Sequence, residues 1–177
     1  MERSLREKLP GGKFLNVSAV RSKTMASIKG KHGKSTERKL RMALMRAGIR
    51  GWKLHPQGIQ GNPDVHFPKT KVVVFVDGCF WHGCPRCGHV PHTNSTFWHA
   101  KFSRNHERDL MNTRALKKLG MKVIRIWEHS LKNHSSTAAA IDRIRLALEA
   151  NRRIDQKKKG FPLSPGSGSR VQIDSRR

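Results

Sequence analysis

Apolar positions along the middle of the chain follow two rhythms. In "STERKLRMALMRAG" Leu40, Leu44 and Ala47 fall on one face at helical spacing; Ser35 or Thr36 can cap the helix and Gly48 is placed to end it. In "KVVVFVDG", residues 71–78, the run from Val72 to Val76 is apolar without alternation, as expected of a strand buried on both faces. "PDVHF", residues 63–67, reads as its strand neighbour across a turn at residues 68–70, and a short strand is expected within residues 52–57. Residues 95–120 read as a long helical region, residues 122–129 as another strand, and "STAAAIDRIRLALEA" as a closing helix capped by Ser135 or Ser136. The order helix, strands, loop, helix, strand, helix predicts one α/β domain, a mixed β-sheet flanked by helices.

The two ends lack this patterning. Residues 1–34 mix glycine with basic residues ("LPGGKF", "IKGKHGK") and read as a flexible arm that orders on binding; residues 151–177 turn basic and Gly/Ser/Pro-rich, a disordered tail. The folded domain is therefore expected over residues 35–150. A chain of 177 residues is long enough for one core and short for two. Of the net charge of +25, the arm carries +7 and the tail +6, leaving +12 on the domain itself. Basic excess in all three parts implies a polyanionic partner, foremost nucleic acid. No stretch approaches the roughly 20 apolar residues of a membrane span. No secretory signal is visible, so a cytoplasmic protein is expected.

The densest chemistry lies in "VDGCFWHGCPRCGHVPH", residues 76–92, which holds every cysteine of the chain and three of its ten histidines. Three cysteines at C-x₄-C-x₂-C spacing suit a metal site better than a disulfide framework. Zn²⁺ takes four tetrahedral Cys or His ligands, so Cys79, Cys84 and Cys87 need a fourth from His82, His89, His92 or a distant histidine. His129 is favoured, because a sheet can bring the end of its strand beside the loop. A Cys₃His zinc site frees His82 for other work.

With 12 acids in the whole chain, their positions are informative. Asp64 opens one strand and Asp77 ends the next, and carboxylates at strand ends can converge on a divalent cation. Glu37 lies in the first turn of its helix, where a dipole-stabilising acid is the plain reading, and Asp109 can be an ordinary ion-pair partner of Arg108. Together with His82 they offer more: a metal ligand (Asp64), a general base (His82) and an acid to orient it (Asp109).

The run "NPDVHF…VVVFVDGCFWHGC…FW…K…N…RD…LKKLGMKVIRIWEH" resembles the very short patch repair (Vsr) endonucleases, DNA mismatch nucleases related to the PD-(D/E)xK restriction-endonuclease-like fold. The likeness covers about residues 20–150 and reaches back to "RSKTM", placing Arg21 and Lys23 among expected DNA contacts. It implies that Asp64 binds Mg²⁺, with a second contact from the main-chain carbonyl near Val76. It also implies that His82 activates the attacking water, that Asp109 orients His82 and that Glu37 supports them. Phe80, Trp81 and Trp98 match the aromatics that wedge into the DNA stack beside the mismatch. Around the "GCFWH" loop the family uses Cys/His zinc ligands, plus one from the residue after "WE", here His129.

Cys84 stands where the family's best-known branch has histidine, and Cys87 is displaced by one residue. Asp77 replaces a non-acidic residue and can add a carboxylate near the cation. Cys79 occupies the place of the general pattern's lysine. The basic tail matches no family role. What the resemblance implies is a Mg²⁺-dependent, zinc-stabilised endonuclease that nicks double-stranded DNA at T:G mismatches. It would act as a monomer in the nucleoid, with mismatch-repair proteins as candidate partners. The competing readings are a homing or sequence-specific endonuclease of the same fold and a non-catalytic zinc-stabilised nucleic-acid-binding protein.

Overall fold

A computed structural model of the chain describes residues 3–9, 11, 13, 14, 17, 18, 20 and 34–159. Arg21 and Lys23 lie outside the described residues. The α-helices are α1 (Arg3–Arg6), α2 (Lys34–Arg46), α3 (Ser95–Lys118) and α4 (His134–Lys159). The strands β1 (Lys53–Leu54), β2 (Val65–Phe67), β3 (Val72–Asp77) and β4 (Lys122–Trp127) form one sheet in that spatial order. β1–β2 and β2–β3 pair antiparallel, and β3–β4 pair parallel. A single 3-10 turn, Pro68–Thr70, suffices between β2 and β3. The parallel step requires a long crossover, which α3 supplies.

β3 is the centre of the molecule, and its lack of alternation has a direct cause. Val72 and Val74 join Val65, Phe67, Ile124 and Ile126 on the sheet face covered by Leu40 and Leu44 of α2 and Ile141 and Ile144 of α4. Val73 and Phe75 point the other way, against Leu116 of α3. Both faces are dry, and each fully buried aliphatic side chain contributes roughly 2 kcal/mol.

The expected helix stop at Gly48 is present. Gly48 adopts φ +68°, its N–H bonds to the Met45 carbonyl, and the Ile49 N–H reaches back to the Leu44 carbonyl at 3.0 Å. The same closure recurs at Gly120 after α3, with the Met121 N–H on the Leu116 carbonyl.

Several boundaries differ from the sequence reading. α2 begins at Lys34, ahead of Ser35 and Thr36. α4 begins at His134, and its cap is Asn133, whose Oδ1 accepts the Ser136 N–H at 2.9 Å, rather than Ser135 or Ser136. α4 also runs through Lys159, nine residues into the segment read as tail. "NRRIDQKKK" contains no glycine or proline to stop the helix, and Asn151 Nδ2 ties it to the Thr70 carbonyl at 2.9 Å. Within the N-terminal arm, Leu5 and Leu9 are buried against Phe97 and Trp98 of α3. β1 keeps two residues, and β4 gives way at Glu128 to a 3-10 turn, Glu128–Leu131. Among the described residues no helix is long and apolar enough to cross a membrane.

Candidate active site and metal centre

Because β3 and β4 run parallel with Asp77 opposite Trp127, the segments that follow them leave the sheet side by side. That register brings Cys79 next to His129. The Cys79 N–H donates to Glu128 Oε2 at 3.3 Å. His129 Nδ1 lies 3.4 Å from Cys79 Sγ, 3.5 Å from Cys84 Sγ and 3.3 Å from Cys87 Sγ, and the Cys84 and Cys87 sulfurs are 3.7 Å apart. The loop backbone folds tightly to allow this. The Cys84 N–H bonds the Cys79 carbonyl at 2.9 Å, and the Gly88 N–H bonds the Cys84 carbonyl at 2.7 Å. A Cβ at Gly88 would come within 2.5 Å of that carbonyl oxygen, so only glycine fits. Burial, with neighbouring thiols adding to it, pushes the Cys79 thiol up to about 12. Burial works in the same direction at Cys84, but hydrogen bonds from the Cys87 and Arg86 amides outweigh it and lower that thiol. These four side chains could hold one metal ion. His82 and His89 face elsewhere, His89 against the Phe80 ring.

His82 belongs to a second cluster. Its Nδ1 lies 2.5 Å from Asp109 Oδ2 and 3.8 Å from Asp77 Oδ1. Arg125 of β4 completes it, donating from Nε and Nη2 to the two Asp77 carboxylate oxygens at 2.7 and 2.5 Å and from Nη2 to Asp109 Oδ2 at 3.0 Å. Burial disfavours the Asp109 carboxylate, yet the His82 hydrogen bond and the Arg125 charge outweigh it and hold the group below the ordinary range. Burial likewise opposes the charge on Arg125, and the Asp77 hydrogen bonds overcome it, raising its pKa. An ionised Asp109 can only accept, so His82 Nδ1 must donate, and in the neutral ring Nε2 keeps its lone pair.

Asp64 stands in a third cluster with Glu37 and His55. The approach "QGIQGNPD" turns sharply, with Gly61 and Asn62 at φ +80° and +50°. Asp64 Oδ2 accepts the Val76 N–H at 2.6 Å. The contact between Val76 and Asp64 is thus made by the Val76 amide. Glu37, in the first turn of α2, lies 3.0 Å from His55 Nε2. The expectation that Asp77 adds a carboxylate beside Asp64 is corrected: Asp77 is taken by Arg125, which shares its sheet face one strand over, and groups with His82 and Asp109.

Comparison with known proteins decides the family. Residues 16–89 match the family described as DNA mismatch endonuclease Vsr. The chain is 38% identical to the type II nicking enzyme V.NaeI of Lentzea aerocolonigenes over 130 residues, 71% of this chain and 77% of that one. It is 39% identical to the type II nicking enzyme V.NmeAIP of Neisseria meningitidis, over 72% of this chain and 91% of the relative. This chain belongs to the Vsr family. It is 33% identical to the DNA mismatch endonuclease Vsr of Escherichia coli, over 64% of this chain and 72% of that protein.

As a Vsr-family member the chain is a DNA endonuclease, and its mixed sheet with flanking helices fits the restriction-endonuclease-like fold. The expected wedge residues form one aromatic shelf. The Phe80 ring lies 5.1 Å from both Trp81 and Trp98, and Phe102 closes the group at 5.5 Å from Phe80. Phe80 and Trp81 are partly exposed, whereas Trp98 is buried beneath Leu5 and Leu9. Two residues escaped the sequence reading. Arg125 carried a usable signal, since a cation within an apolar strand needs a buried partner. His55 carried none, because it lies in a bend just after the two-residue β1, where no periodicity marks it.

Proposed function

We propose that this Vsr-family endonuclease nicks one strand of double-stranded DNA beside a T:G mismatch, on the 5′ side of the T, in very short patch repair. The observation that carries the reading is the His82–Asp109 pair, fixed in tautomer and set next to the aromatic shelf of the metal loop. His82 Nε2 takes the proton of the attacking water, and Asp109 holds the ring in place and stabilises its charged form. Phe80 and Trp81 insert into the base stack, and Trp98 joins them once the Leu5–Leu9 segment lifts. Lysines and arginines of the basic chain grip the phosphates, Arg21 and Lys23 among them.

The cation site fits Mg²⁺, which Asp64 and the Val76 main-chain carbonyl would hold with support from Glu37. Bound there, the ion would supply positive charge against the charge developing on the phosphate and on the leaving 3′ oxygen. The second site fits Zn²⁺. Tetrahedral bonds of about 2.3 Å to sulfur and about 2.05 Å to nitrogen give S–N edges of about 3.6 Å and S–S edges of about 3.8 Å. Observed edges of 3.3–3.5 Å and 3.7 Å agree. The proposed setting is the cytoplasmic nucleoid, with the protein monomeric and mismatch-repair proteins as partners.

A second reading, sequence-specific nicking of matched DNA, is favoured by the name shared by V.NaeI and V.NmeAIP, type II nicking enzymes. A nicking assay on T:G and matched duplexes in a panel of sequences separates the two, and equal cutting of matched duplexes rejects the mismatch reading. Asp64→Ala and His82→Ala are expected to abolish nicking while leaving duplex binding within a few-fold. Loss of binding in folded variants, or no nicking by the wild type in Mg²⁺, would favour a non-catalytic binder.

A further inference from the structure

We propose that His55 is a direct ligand of the cation held at Asp64, and that its imidazole makes this site bind Mn²⁺ more tightly than Mg²⁺. The inference rests on the reading of Asp64 as the cation ligand and adds to it a third protein ligand and a metal preference.

The backbone commits His55 to this place. The residue follows β1 in the left-handed region, at φ +41°, and its N–H donates to the Asp64 carbonyl at 3.2 Å. Its position is therefore locked to that of Asp64 through the β1–β2 pairing. From the opposite side, the first turn of α2 brings Glu37 Oε2 to 3.0 Å from His55 Nε2. Ligand atoms of Glu37, His55 and Asp64 all fall within 4.8 Å of one another. Around an octahedral ion with bonds of about 2.1 Å, neighbouring ligand atoms stand about 3.0 Å apart and opposite ones about 4.2 Å apart. The 3.0 Å Glu37–His55 contact matches one such edge, and at no more than 4.8 Å Asp64 needs only a small side-chain shift to join the same shell.

An ion pair between a protonated His55 and Glu37 is the competing account. It explains the 3.0 Å contact but not why Asp64 shares the same small volume. With 37% of the His55 side chain exposed, such a pair is also well screened and contributes little. Two carboxylates with one imidazole form a mixed oxygen–nitrogen set. Mg²⁺ strongly favours oxygen, whereas first-row transition ions accept imidazole readily.

The test uses the full chain with its zinc site loaded and no DNA. Mn²⁺ binding is followed by the electron paramagnetic resonance of the free ion, and Mg²⁺ binding by competition. Wild type is expected to bind Mn²⁺ at least about tenfold more tightly than Mg²⁺. His55→Gln is expected to weaken Mn²⁺ about tenfold and leave Mg²⁺ within about threefold. A glutamine amide can still donate to Glu37, so unchanged Mn²⁺ binding in this variant would reduce His55 to a hydrogen-bonding role and overturn the inference. Electron spin-echo modulation from a directly bound ¹⁴N in the wild type needs no variant, and its absence with Mn²⁺ bound would overturn it too, as would failure of Mn²⁺ to bind. Persistent nicking in Mg²⁺ without the nitrogen signal would sink the ligand and leave the nuclease. A nitrogen signal without nicking in either metal would support the ligand and sink the nuclease.

Discussion

Arg125→Met removes the cation that joins β3, β4 and α3 beneath His82. The wild-type guanidinium makes two hydrogen bonds to Asp77, reaches Asp109 at 3.0 Å and lies with its central carbon 5.0 Å from the centre of the Phe75 ring. Methionine preserves most of the aliphatic packing but leaves the Asp77 carboxylate, 6% exposed, without its bidentate partner. His82 Nδ1 remains 3.8 Å away and is already engaged with Asp109. Breaking a buried pair by deleting one member costs about 3–5 kcal/mol, chiefly through the orphaned charge. Since Arg125 is 25% exposed, the low end applies, about 3 kcal/mol. For a domain of this size that lowers Tm by roughly 10 °C. The assay is thermal and urea unfolding of the metal-loaded protein at neutral pH, on Arg125→Met and on the double variant Asp77→Asn with Arg125→Met. The double variant removes both charges and is expected to recover at least half of the loss. A single-variant loss under about 1 kcal/mol, or a double variant no better than the single, would refute the buried-charge account.

Asp109→Asn provides a sign test. Asp109 is held below its ordinary value of 3.8, so its ionised form stabilises the fold fully above that pH, and the contribution is lost only as pH falls below it. The stability gap between wild type and Asp109→Asn should therefore not shrink between pH 8 and pH 5; a gap that already shrinks between pH 6 and pH 5 would contradict the assignment. Gly88→Ala places a Cβ 2.5 Å from the Cys84 carbonyl oxygen and 2.7 Å from the Cys84 nitrogen, so the knuckle must open. Chelator competition should show metal affinity down by about tenfold or more while the far-UV spectrum is kept, and unchanged retention would refute the packing argument. In the wild type, metal must displace a proton from Cys79, whose thiol otherwise sits at about 12, so affinity should fall at each step from pH 8 to pH 6; a flat profile would contradict thiolate ligation.

The parts of this fold legible in the sequence are those where one physical demand dominates. Residues 72–76 are uniformly apolar because both of their faces are covered, and Gly48 and Gly120 mark helix ends because each takes a left-handed turn there. The approach of His129 to the three cysteines was legible since parallel strands end together and carry their following residues to one place. The boundaries of α4 were not. Capping by Asn133 rather than Ser135 depends on which side chain meets the free amides, and the run to Lys159 depends on a contact with Thr70 that is distant in sequence. Asp77 was misplaced for the same reason. Spacing from Asp64 brings it near a strand end but says nothing of which sheet face it occupies or that Arg125 waits there.

The loop after β3 joins two parts of the fold, and its residues divide the work accordingly. Cys79 and Cys84 bracket Phe80, Trp81 and His82, and both sulfurs converge on His129 at the end of β4. Each bracketed residue is tied instead to α3: His82 through Asp109, the Trp81 carbonyl through a 2.7 Å hydrogen bond from buried Asn105, and Phe80 through the rings of Trp98 and Phe102. A loop fastened only to β4 would leave the imidazole free to swing, and one fastened only to α3 would leave its backbone free to slide. Arg125 joins the two anchors directly, reaching from β4 to Asp109 on α3 and to Asp77 at the root of the loop. The proposed role of His82 as base requires that it be held within about half an ångström of its productive position, and anchors on β4 and α3, with Arg125 between them, are a physical means to that tolerance.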